Sequence, residues 1–101
     1  MVKQARKFDA AAILDSDEAI VEYMAAAFET GDAAFIADAV GVVACARGMN
    51  DIARESGLSR EQLYRSFSAS GNPTIKSMLA VMKALGMKIT AEAHTASDRS
   101  A

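Results

Sequence analysis

Six polar side chains, Ser59, Arg60, Glu61, Gln62, Tyr64 and Arg65, crowd around Leu63, with Phe67 four positions on. Such groups read base edges: arginine pairs bidentately with guanine O6 and N7, glutamine with adenine, and glutamate accepts from cytosine N4. Ser59 is also of a type that touches phosphate, as are Asn50 upstream and Ser70, Asn72 and Lys76 downstream. Bond-making chemistry has no comparable set. Cys45 is the single cysteine, so no internal disulfide or cysteine-based metal cluster is available. His94 has no Ser, Cys or carboxylate arrangement fixed around it, and no glycine-rich phosphate loop, HExxH or paired-carboxylate motif occurs. We therefore expect no catalytic residue, metal site or cofactor.

The elements that must hold these side chains follow from spacing. Asn50 is a natural cap for a helix running to about Ser56, Ala53 is small where helices approach closely, and Gly57 suits a positive-φ ending. Leu58 plugs the turn. Ser59 and Gln62 form a Ser-x-x-Gln capping box opening a second helix to about Ser68. With Ile52, Leu58, Leu63 and Phe67 inward, residues 49–67 have the form of a helix-turn-helix whose second helix enters a major groove. Each reader has a plainer explanation beside this one. Glu61 suits a first turn through the helix dipole alone, Arg60 and Arg65 could form a solvated face, Tyr64 could pack at the helix edge, and Ser70 to Pro73 is ordinary turn chemistry.

Around the motif, residues 1–15 read as an N-terminal arm, 16–92 as one helical domain and 93–101 as a disordered tail. Ser16 or Asp17 caps a helix carrying Ile20, Tyr23, Met24, Ala27 and Phe28, which Gly31 ends. Asp32 caps the next, with Phe35, Ile36, Ala39, Val40 and Val43 as its stripe and Gly48 after Arg47. Cys45, between two alanines, reads as a small core residue. Thr74 restarts a helix whose face carries Ile75, Met78, Leu79, Met82 and Leu85, and Gly86 stops it. Residues 87–92 alternate apolar and polar, a short strand signal satisfied only by pairing with something else.

Charge divides unevenly along the 101 residues. From Met1 to Ala46 three basic residues stand against eight acidic ones, a net −5, whereas Arg47 to Lys88 carries seven against three, a net +4. The motif is thus locally basic in a chain of overall charge −2, which suits mild, salt-sensitive attraction to phosphate. No run reaches the roughly 18 apolar residues that span a bilayer, and the basic N-terminus leads into no apolar signal core. The reading is cytoplasmic, with no membrane partner.

The region from Gly41 to Gly86 resembles the lambda-repressor-like (Cro/cI-type) helix-turn-helix domains. More narrowly, Phe8 to Ala91 resembles the addiction-module antidote (antitoxin) proteins. The resemblance rests on Ala44 to Met49, Ile52 to Arg65, Gly71 to Thr74 and Ala84 to Ile89. The helices read above make an all-α, five-helix domain with a short C-terminal β-strand from the alternation at 87–92, and the resemblance implies that its fold is lambda-repressor-like. It also implies a homodimeric repressor of its own operon, bound to a palindromic operator in double-stranded DNA, and a neutralising partner for a small toxin of the RelE/ParE superfamily. Two alternatives stay open: a stand-alone transcriptional regulator, and a protein-interaction module whose helix-turn-helix is only a scaffold and whose acidic first helices clamp a basic toxin.

Overall fold

The computed structural model describes residues 14–93. Five helices run through them: α1 (Asp17–Glu29), α2 (Ala33–Arg47), α3 (Met49–Ser56), α4 (Arg60–Ser66) and α5 (Ile75–Ala84). Expectations for the arm before Leu14 and for the tail with His94 lie outside the described residues.

Local chemistry sets most helix ends. Ser16 Oγ accepts from the Ala19 N–H at 3.1 Å, and Asp32 Oδ1 accepts from Ala34 and Phe35. Thr74 Oγ1 accepts from Ser77 at 3.0 Å. Each satisfies donors that a helix start leaves without intrahelical partners. At the other end, Gly86 takes φ 83°, its N–H donates to the Lys83 carbonyl, and the Met87 N–H donates to the Met82 carbonyl at 2.8 Å. That paired arrangement is a Schellman ending, which needs a left-handed residue.

α2 is the centre of the packing. Ala37, Ala39, Val40, Gly41, Val43 and Ala44 are buried on it, and it packs against α1, α3 and α4, while α3 packs on α5. Ile20 and Met24 of α1, Ile52 of α3, Leu63 of α4 and Val81 and Met82 of α5 complete a single core. Gly41 is required by a close approach: a Cβ there would strike the Phe67 carbonyl at the end of α4. Tyr23, half-buried on α1, has its phenol pKa raised above the ordinary 10.0, first by burial and then by the charge of Asp38 on α2. No single helix among the described residues is long and apolar enough to cross a membrane.

Four expectations need correction. Residues 87–92 form no strand, because the described chain offers them no strand to pair with and a ladder needs two. Asn50 is not a cap: α2 bends by 109° into α3 at Gly48, the single residue between them, so α3 starts at Met49 with no side-chain cap. Cys45 is exposed, since its neighbours Val43 and Ala44 take the core-facing positions of α2. On α5 the core takes Val81, Met82 and Leu85, leaving Ile75 and Leu79 on the exposed side, and Phe28 and Phe35 are likewise largely outside the core.

Gly41→Ala is expected to destabilise the fold by about 1–3 kcal/mol through overpacking against backbone that cannot yield cheaply. Urea unfolding followed by circular dichroism measures this.

Candidate nucleic-acid interface

α4 is presented by a device read from the chain outward. Gly57 ends α3 at φ 80°, in the left-handed region, and its N–H donates to the Ala53 carbonyl at 3.0 Å. Leu58 is half-buried against the core, and its N–H donates to Ser56 Oγ. Ser59 then opens α4. Its Oγ accepts from the Gln62 N–H at 3.0 Å, while Gln62 Oε1 accepts from the Ser59 N–H at 3.0 Å. The capping box is complete. Leu63 is wholly buried and Phe67 nearly so, fixing the inward side of α4 to the core.

The remaining sides of α4 face solvent. Ser59, Arg60, Glu61, Gln62, Tyr64 and Arg65 are all exposed, as are Asn50 in the first turn of α3, Ser70 and Asn72 in the following loop, and Lys76 at the start of α5. Gly71 fixes that loop: its N–H donates to Ser68, and a Cβ would strike the carbonyls of Ser66 and Arg65. Among the described residues Arg60, Arg65 and Lys76 make no ion pair, whereas Arg54 bonds Asp51 at 2.8 Å and Arg47 bonds Asp17 at 3.2 Å. Lys83 in the last turn of α5 and Lys88 beyond it are likewise exposed and without an ion pair among the described residues, so the positive charge available for an anion is shared between α4, Lys76 and the end of α5.

Two readers are already engaged within the protein. The Gln62 carbonyl oxygen already accepts from the Ser59 N–H in the capping box, so a bidentate pairing with adenine, which uses both amide groups, would have to share that oxygen with the box or break it. Arg60 lies along Tyr64, its Nη2 donating to the phenol oxygen at 3.3 Å and its guanidinium carbon 5.6 Å from the ring centroid. Sequence reasoning left Tyr64 between packing and reading. The structure gives it contact with Arg60, and the i,i+4 spacing was the available signal. The same kind of spacing marked Arg54 and Asp51, which sequence reasoning passed over. Among the described residues no cluster of His, Cys, Asp or Glu could hold a metal ion.

A family model described as "Probable addiction module antidote protein" matches residues 4–93. The chain belongs to this family. An uncharacterised protein of Haemophilus influenzae (strain ATCC 51907 / DSM 11121 / KW20 / Rd) is 41% identical over 88 residues, covering 87% of this chain and 91% of that protein. No solved structure gives a significant match. An antidote family implies a cognate toxin as partner, and the family is not enzymatic.

Ser59→Ala removes the cap acceptor and is expected to cost about 0.5–2 kcal/mol of stability. Denaturant titration checks it, with Ser59→Asp, which retains an acceptor, losing less.

Proposed function

We propose that this antidote is a dimeric, sequence-specific DNA-binding protein that represses its own operon and neutralises a small toxin of the RelE/ParE superfamily. On this reading α3, the turn Gly57-Leu58-Ser59 and α4 are the helix-turn-helix of a lambda-repressor-like domain, and α4 lies in the major groove. The observation that carries the reading is the two-sidedness of α4. Leu63 is buried without remainder, whereas every polar neighbour from Ser59 to Arg65 is exposed.

Roles follow from donor and acceptor chemistry. Arg60 and Glu61 face base edges, where a guanidinium can take guanine and a carboxylate can accept from cytosine. The Tyr64 contact orders the long Arg60 side chain before DNA arrives, which lowers the entropy lost on binding. Ser59 keeps its hydroxyl proton for a phosphate, since its oxygen accepts the cap bond. Gln62 contributes its amide donors from within the box. Arg65, Asn50, Ser70, Asn72 and Lys76 position the duplex backbone. One such helix reads only a few base pairs, so specificity calls for two copies on a palindromic operator.

A second role fits the same molecule. Asp17, Glu18, Glu22 and Glu29 on α1, with Asp32 and Asp38 at the cap and in the body of α2, are exposed acids. They suit a basic, RNA-gripping toxin, and toxin binding through them leaves α4 free for DNA.

Arg60→Ala is expected to weaken binding to the operon's own promoter by about 1–3 kcal/mol while changing random-sequence affinity little. Fluorescence anisotropy on both duplexes at fixed salt measures this. Equal losses on the two would reduce Arg60 to a phosphate contact, and no binding of promoter DNA at low salt would refute the DNA reading.

A further inference from the structure

Beyond α5 the chain leaves the helical body in a defined direction. The Schellman ending at Gly86 and Met87 turns it, and residues 87–93 continue without helix or strand. Among the described residues the backbone groups of 88–92 make no hydrogen bond to the rest of the protein. The segment borders a groove of about 670 Å³ whose other wall is α1, with Val21, Met24 and Phe28, and Met82 on α5. Val21 is 50% exposed, Phe28 39% and Ile89 40%, so this groove keeps apolar surface in water.

The sequence of the segment is complementary to itself. Its odd positions, Met87, Ile89 and Ala91, are apolar, and its even positions, Lys88, Thr90 and Glu92, are polar. In an extended chain these sets lie on opposite faces. An antiparallel pair centred on Thr90 sets Lys88 of one copy opposite Glu92 of the other, twice by symmetry, and Thr90 opposite Thr90. Opposite charges and paired threonines across strands are both favourable. A register displaced from this centre forfeits the two ion pairs.

We propose that Met87–Glu92 is the dimerisation element of this protein, forming a two-stranded antiparallel ribbon with the same segment of a second copy. This rests on the dimeric reading above and specifies which surface makes the dimer. A twofold axis through Thr90 satisfies the open backbone of both copies in one isologous contact. A two-stranded ribbon alone is marginal in water. Here its apolar face, with Ile89 at the centre, packs over Val21 and Phe28, whose exposure the contact removes. The charge match is what favours a second copy over an unrelated strand.

The test combines crosslinking with charge reversal, using full-length protein. In a Cys45→Ser background, which removes the exposed native thiol, Thr90→Cys should form a disulfide-linked dimer on mild oxidation, whereas Ser70→Cys should not. By analytical ultracentrifugation, Lys88→Glu and Glu92→Lys should each weaken the dimer by about tenfold, since each turns two attractive pairs into repulsive ones, and the double variant should restore it. Circular dichroism verifies that each variant is folded. A wild-type dimer that neither crosslinks at position 90 nor responds to either reversal would overturn the ribbon while leaving dimerisation standing. A wild-type chain that stays monomeric at all concentrations would overturn both. If the reversals spare the dimer but release the co-expressed toxin of the operon, the segment belongs to the toxin and the inference fails.

Discussion

The carbonyl of Phe67 rests against α2 at the one position where α2 has no side chain, and the placement of α4 hangs on that approach. Any Cβ at position 41 would push the end of α4 outward, taking with it Leu63, which seals the core from the other side of the same helix. Interiors are packed too densely to absorb such a shift locally. The orientation of Arg60, Glu61 and Arg65 is therefore set by a contact on the far side of their helix. A rigid backing of this kind lets a seven-residue helix, too short to be stable alone, present side chains in a fixed arrangement.

The two ends of α4 add to this without competing with it. The capping box holds the entry, using both the hydroxyl oxygen of Ser59 and the amide oxygen of Gln62, and the Phe67 N–H closes the last turn on the Leu63 carbonyl. The outward side is left with groups that still have hydrogen-bonding capacity: the guanidinium groups of Arg60 and Arg65, the carboxylate of Glu61 and the amide donors of Gln62. The exposed acids of α1 and α2 lie on other helices than Arg60 and Arg65 of α4, so on the proposed reading a basic toxin and DNA would meet different elements. The proposed two-partner role requires such an arrangement, because oppositely charged partners can be held together only if their surfaces do not overlap.

What could be read from the sequence was what local chemistry decides. Ser16, Asp32, Ser59 and Thr74 cap helices because a short side-chain oxygen meets free N–H groups two or three residues on, and Gly57 adopts the positive φ expected of it, as does Gly86, which reads from the sequence only as a helix stop. What could not be read was what the tertiary structure decides. Gly48 serves as the end of one helix and the start of the next, so Asn50, a good cap by type, has no start to cap. α5 is apolar on more than one side, and only its packing against α3 selects Val81 and Met82 over Ile75 and Leu79. Cys45 is turned outward by the same logic on α2. The strand expected at 87–92 rested on a real alternation, but a strand is a property of a pair and one chain supplies only half of it. Of the interface, the identity and exposure of the side chains were legible. The engagement of Gln62 by the cap and of Arg60 by Tyr64 was not, because each requires a rotamer that spacing permits without dictating.

The central claim, that two copies of α4 read one operator, is tested most directly by hydroxyl-radical footprinting of the antidote on the promoter of its own operon. The account predicts two protected patches related by a twofold axis, with centres about one helical turn, roughly 34–36 Å, apart. A single patch, or uniform protection that disappears as salt is raised, would contradict it.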